Sequence, residues 1–169
     1  MSTAREAADQ AALVDFLRRA YQAVDGLWFM MVEEASGFAQ ALELDRRVWE
    51  VLAKIQARKA REVLGVRGNS AAELARCFGL KLAADGHECE LAAEGGEVRV
   101  TIQQCPWLEL LRRSRRGHLA LRVAQEVCPT EGRVWAAEFG GEYEFEMPRM
   151  ACGGAERCEL RFRRVTPAQ

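Results

Sequence analysis

The feature that most constrains the fold is a change of hydrophobic period, made twice along the chain. From Leu13 to Ile55 apolar residues recur every three or four positions, as on one side of a helix. At His87 the period drops to two: His87, Cys89 and Leu91 alternate with polar neighbours, as do Val98, Val100 and Ile102 after a Glu-Gly-Gly turn. Helical spacing returns at Pro106, and alternation returns once more with Tyr143, Phe145 and Met147, then Cys158, Leu160 and Phe162 around "ACGGAER". A period of two predicts strands and a glycine between them a hairpin, so the order is helices, hairpin, helices, hairpin. The expected fold class is α+β, an antiparallel sheet of about four strands packed with four to six helices.

The helical parts can be placed more closely. Leu13, Phe16, Leu17, Ala20, Val24, Leu27, Trp28 and Met31 form the stripe of a first helix over about 7–35, with a bend expected at Gly26. Phe38, Ala41, Leu42, Val48, Trp49, Leu52 and Ile55 form a second, which stops in "VLGVRGNS". Together they predict an N-terminal helical hairpin over 7–65, followed by a mixed α+β core over 70–165, in a single domain over 1–169. Ser70 with Glu73 three positions on predicts a capping box for a third helix. Pro106 opens a fourth helical region, interrupted near Gly117 and closed by Pro129, with "TEGRVWAAEFGG" as a further short helix. Residues up to about Asp9 and the tail "VTPAQ" are expected to be mobile.

Charge and composition exclude several functions. The 169 residues carry 24 Lys and Arg against 25 Asp and Glu, a formal net charge of −1, which gives no general attraction to nucleic acid or an anionic membrane. The opening "MSTAREAADQ" lacks the apolar core of a secretory signal, and the longest apolar run, "GLWFMMV", is too short to span a bilayer, so a cytoplasmic location is expected. Neither a glycine-rich phosphate loop nor a GxSxG or HExxH motif is present. The arginine run Arg112 to Arg116 is read as a solvated helix end, with phosphate or carboxylate binding as the alternative.

Six cysteines in a chain expected to stay reduced call for another explanation than disulfides. Cys128 and Cys158 fall in phase with buried neighbours, Cys152 sits on the turn, and Cys105 precedes a helix start, where the helix dipole lowers a thiol pKa if backbone N–H groups point at it. Two readings stand side by side. In one, Cys105, Cys128, Cys152 and Cys158 meet as ligands of zinc or an Fe–S cluster, although no CxxC pair is present. In the other, Cys77, Cys89, Cys128 and Cys158 are small buried hydrophobes, and Cys152 with Cys158 forms at most a reversible disulfide. His87 and His118 are too few for a histidine-rich metal site.

Asp45 interrupts the apolar stripe of the second helix, between Ala41 and Leu42 on one side and Val48 and Trp49 on the other. A carboxylate there needs a partner, either an arginine such as Arg18, Arg19 or Arg58, or a ligand in a pocket whose wall includes Asp45, Trp49 and Gln56. Trp28, Phe29, Met30 and Met31 cover all sides of the first helix, which predicts a buried segment or a homodimer contact.

The stretch "LWFMMVEEASGFAQALELDRRVWEVLAKIQARKAREVLG", the tripeptide "CPW" and the ending "MACGGAERCELRF" together resemble an uncharacterised family of small cytosolic bacterial and archaeal proteins. The ending also resembles that of the L-2-amino-thiazoline-4-carboxylic acid hydrolase family and, more distantly, the 4-vinyl reductase-type ligand-binding domains, matching at Gly154, Cys158, Glu159 and Phe162. The hydrolase resemblance implies opening of a small cyclic C–N or C–S compound, with Cys158 or Cys105 as the candidate catalytic residue. The sensor-like resemblance implies a pocket for a small organic ligand between helices and sheet. The chain departs from the sensor pattern at Met150, where a cysteine is expected eight residues before Cys158. The expectations are thus a small-molecule-binding or sensory domain first, a cysteine-dependent hydrolase second, and a self-associating structural module third.

Overall fold

A computed structural model describes residues 2–165. Five α-helices and four strands follow one another as α1 (Ser2–Ser36), α2 (Phe38–Leu64), α3 (Ala71–Asp85), β1 (Glu88–Glu94), β2 (Glu97–Gln104), α4 (Pro106–Arg113), α5 (Ala120–Glu138), β3 (Tyr143–Arg149) and β4 (Cys158–Arg164). The fold class is α+β, with the N-terminal helix pair in place. The tail from 166 onward lies outside the described residues. The chain divides into two compact units, Met1–Glu43 and Leu44–Gln169, so the division falls inside α2 rather than after it.

In the first unit α1 runs unbroken through Gly26, and Gly37, at a φ of +83°, turns the chain into α2. Phe29 and Phe38 meet edge to face across that turn, with ring centroids 5.9 Å apart. The stripe expected to be the buried face of α1 is instead exposed: Leu17 keeps 57%, Val24 66% and Met31 56% of its surface. Among the described residues of this helix the buried one is Gln22, on the opposite side. Periodicity shows that an apolar face exists, and it does not say what covers that face.

The second unit is built on the sheet, whose strand order is β1-β2-β4-β3 with every neighbouring pair antiparallel. Val98, Val100 and Ile102 of β2 and Cys158, Leu160 and Phe162 of β4 share the buried face, as their alternation predicts. Phe145 faces Phe162 across β3 and β4, whereas Tyr143 lies opposite Arg164, and a register shift between Glu146 and Arg149 leaves Cys158 paired with Ile102 of β2 instead of with β3. Pro148 sits in that shift; its missing N–H suits a break in the ladder.

The helices close one face of the sheet. Phe78 of α3 meets Trp135 of α5 and Phe162 of β4 edge to face, at 5.1 Å in each case, and Trp135 stacks on Phe139. Ala53, Ala57 and Ala60 of α2 join this core. The predicted capping box is formed: the Glu73 amide donates to Ser70 Oγ at 3.3 Å and the Ser70 amide to Glu73 Oε2 at 3.0 Å. At the other end of α3, Gly86 adopts the left-handed conformation, with a φ of +89°.

Pro129 does not end a helix. It lies inside α5, which continues to Glu138 and absorbs the short helix expected after it. Proline costs a helix one hydrogen bond, and burial of Thr130, Gly132, Trp135 and Ala136 beyond it holds the helix together. The break near Gly117 is present, as a 3₁₀ turn over Gly117–Leu119. Gly132 lets α5 pack against the Phe145 ring of β3: a Cβ there would stand 2.3 Å from that ring.

Candidate functional site

The sheet register assembles one chemically unusual region. Ile102 of β2 pairs with Cys158 of β4, so Cys105, three residues beyond Ile102, lies at the end of the sheet where β4 begins. The β3 to β4 turn, with Cys152 in a 3₁₀ turn over Ala151–Gly153, belongs to the same end. Cys128 arrives on α5. Cys128 lies near enough to Cys105 and Cys152, and Cys152 to Cys105 and Cys158, that ionising one thiol would disfavour ionising the next. All six cysteines are free thiols, and the Ala151 amide donates to Cys158 Sγ at 3.2 Å.

Beside the thiols lies a buried charge cluster. Lys81 Nζ stands 2.6 Å from Glu131 Oε1 and 3.1 Å from Asp85 Oδ2, and the Lys81 side chain keeps only 4% of its surface. Asp85 follows Lys81 by one turn of α3, while Glu131 comes from α5, one turn after Cys128. Burial alone would discharge the lysine; two adjacent carboxylates overcome it and hold the ammonium charged, with its pKa raised. One ammonium cannot compensate two carboxylates in a dry interior. The excess falls on Glu131, whose carboxyl is pushed up by its own burial and by Asp85, against the pull of Lys81.

The surroundings of Lys81 are aromatic. Its Nζ lies 5.9 Å from the centre of the Trp49 ring and 5.7 Å from that of Phe78. Trp49 in turn meets Trp107 of α4 edge to face at 5.2 Å. Trp107 is two residues from Cys105, so the tryptophan pair connects the lysine cluster to the thiol end of the sheet. His87, just before β1, is driven to a pKa of about 3 by burial and by the positive charge of Lys81, and is neutral at physiological pH.

The thiols are not activated. Cys105 is the N-cap of α4, and the amides of Trp107 and Leu108 do favour its thiolate, but burial outweighs them and its pKa rises. The expectation of a dipole-lowered thiol is therefore corrected: the helix end is where sequence places it, but its low-polarity surroundings decide the sign. Burial pushes Cys152 up to about 11, and raises Cys128 further, where Glu131 adds its negative charge. Lys81 acts in the other direction on Cys105 and Cys128. Cys77 and Cys89 are raised by burial too; Cys77 belongs to the hydrophobic core and Cys89, partly buried, packs against it as a small apolar side chain.

Of the residues expected to line a ligand pocket, Asp45 and Trp49 are buried on α2, and Gln56 shares their helix face. Trp49 is the one that reaches Lys81. Gln56 Oε1 is buried without a hydrogen-bond partner among the described residues. Arg58 and Arg19, named as partners for Asp45, are engaged elsewhere: Arg58 with Glu138 at 2.8 Å and Arg19 with Asp15 at 2.7 Å. Arg112 and Arg113 close α4 in solvent, where Arg112 pairs with Glu109 and only weakly opposes the burial that raises the pKa of Cys152. Among the described residues, no group of three or more His, Cys, Asp and Glu side chains is arranged to hold a metal ion, so Cys105, Cys128, Cys152 and Cys158 lie near one another without forming a zinc or Fe–S ligand set. An open groove of about 400 Å³ lies elsewhere, between Arg133 and Ala136 of α5 and the start of β3.

Lys81, Asp85 and Glu131 were not singled out by sequence. The signal was there: Lys81 and Asp85 interrupt the stripe of Leu74, Cys77, Phe78 and Leu82 on α3, as Asp45 does on α2.

A family model described as a family of unknown function, DUF6125, matches residues 4–137. The chain belongs to this family. The DUF6125 match contains Trp49, Lys81, Asp85, Cys105, Cys128 and Glu131, while Cys152 and Cys158 lie beyond its end. No curated protein matches the chain. Among the described residues no helix is long and apolar enough to cross a membrane.

Proposed function

We propose that the unit Leu44–Gln169 is a small-molecule-binding, sensory domain of the cytoplasm whose ligand is received where Lys81 and the thiols meet. The observation that carries this reading is the buried ion cluster Lys81, Asp85 and Glu131 placed beside Cys105 and Cys128. Burying three charges costs several kcal/mol per ion before their attraction is counted, and a hydrophobic trio would serve a core at least as well. A charged centre next to several uncharged thiols and two tryptophans instead suits recognition: polar groups to orient a ligand, aromatic faces to cover it, and soft sulfur to contact it.

Native mass spectrometry of protein isolated gently from its producing cells tests this. The expected result is a small molecule of defined mass that leaves on denaturation and is missing from Lys81→Met. Wild-type protein of bare polypeptide mass, whose melting temperature no member of a diverse metabolite set raises, contradicts it.

A cysteine-dependent hydrolase is the second reading, favoured by the position of Cys105 at the start of α4. It requires a thiol that reacts fast with iodoacetamide near neutral pH. The raised pKa of Cys105 and a His87 kept neutral by burial and the charge of Lys81 argue for slow reaction and hence for binding over catalysis.

A further inference from the structure

The exposed stripe of α1 has a finer order than amphipathicity requires. Leu13, Leu17, Ala20, Val24, Leu27 and Met31 are spaced 4, 3, 4, 3 and 4, the heptad pattern of a helix that packs along a second helix, and all six are exposed. Phe16 and Trp28 flank the seam and keep 67% and 39% of their surface. The opposite side of the helix is the one with the buried Gln22 and with Phe29 against Phe38. The apolar stripe thus lies on the side of α1 opposite Gln22 and Phe29.

The exposed area suits a specific interface. Half-exposed large side chains offer on the order of 100 Å² each, which for the five large residues of the seam and the two that flank it approaches the roughly 800 Å² per partner of a standard interface and exceeds the patches of about 300–600 Å² usual on monomers. We propose that this seam is occupied by α1 of a second copy of the chain, in an antiparallel pair centred on Gln22. In that register Leu13 lies opposite Met31, Leu17 opposite Leu27 and Ala20 opposite Val24 of the other copy. The pairing is its own mirror under a two-fold axis, as a homodimer contact must be. Antiparallel packing sets the small Ala20 against the β-branched Val24, whereas parallel packing would set Ala20 on Ala20 and leave a gap. The dimer contact is separate from the proposed ligand centre, and either can fail without the other.

Sedimentation velocity on the full chain, from about 1 to 100 µM to bracket a micromolar Kd, reads the assembly state. Wild type is expected to be a dimer. Ala20→Lys and Val24→Glu, each alone, should weaken it at least about tenfold, the effect of losing 1.4 kcal/mol or more. The double variant A20K/V24E should recover dimerisation, because in the antiparallel register each lysine meets a glutamate. Far-UV circular dichroism, expected to be unchanged in all three, establishes that the helix persists. A wild-type monomer throughout this range overturns the proposal, as does a double variant that dissociates at least as readily as the single ones.

Discussion

Lys81 of α3 and Glu131 of α5 meet at 2.6 Å across 50 positions of sequence, inside the hydrophobic unit that carries the sheet. The pair joins the two helices that cover the sheet and stands at the edge of the thiol region, so it affects both stability and any chemistry there. Lys81→Met would leave two buried carboxylates facing each other. Breaking a buried pair in this way typically costs about 3–5 kcal/mol. Urea unfolding at neutral pH should show that loss, and the gap to wild type should shrink as the pH is lowered and the carboxyl groups take up protons. An equal gap at all pH values would mean that lost packing, not charge, dominates.

His87 supplies a pH dependence with a definite sign. Its folded pKa of about 3 lies below the ordinary 6.5, so between these values the unfolded chain binds a proton that the folded chain does not. The stability due to neutral His87 is fully present above pH 6.5 and is lost as the pH falls towards 3, at up to about 1.4 kcal/mol per pH unit. His87→Gln should flatten that part of the stability profile, measured by urea unfolding at several pH values. An unchanged slope would show that other groups carry the acid sensitivity.

Gly132 should not tolerate a side chain. Its Cβ would meet three atoms of the Phe145 ring within 2.4 Å, and a ring packed on Phe162 at 5.0 Å has little room to retreat. Gly132→Ala is expected to destabilise by about 1–3 kcal/mol, the usual range for overpacking, even though alanine favours the helix. Phe145→Leu should be less harmful in the G132A background than in wild type, a coupling that thermal unfolding of the four proteins would reveal.

The capping box predicts a smaller effect. Ser70→Ala removes the oxygen that receives the Glu73 amide and should cost about 1 kcal/mol by chemical denaturation. A loss below a few tenths would show that the remaining contacts of Glu73, with the amides of Gly68 and Ser70, hold the helix start alone.

Sequence disclosed the elements and their inward faces wherever local chemistry set them. Ser70 and Glu73 fix the start of α3, and the alternation through Val98 to Ile102 and Cys158 to Phe162 fixes which side of the hairpins is buried. It misjudged what depends on distant partners. Helix α5 passes Pro129 because Trp135 and Ala136 are buried farther on, and the period of α1 marks an apolar face without stating which surface meets it. The thiol region was visible in part: the phases of Cys128 and Cys158 pointed inward, but the sign of the shift at Cys105 depends on burial by α4 and its neighbours. Lys81 is illegible in sequence for the same reason, since its charge becomes meaningful only when Glu131 arrives from α5.

A ligand received beside Lys81 requires that Cys105, Cys128 and Cys152 form a soft centre there that a thiol reagent can reach. Phenylarsine oxide, which needs two thiols near one arsenic, tests it most directly when titrated into native protein and read by mass and melting temperature. One arsenic per chain should be taken up with a rise in melting temperature, lost or weakened in Cys105→Ser, Cys128→Ser or Cys152→Ser and retained in Cys77→Ser and Cys89→Ser. No uptake by folded protein, or uptake abolished by Cys77→Ser or Cys89→Ser, would contradict it.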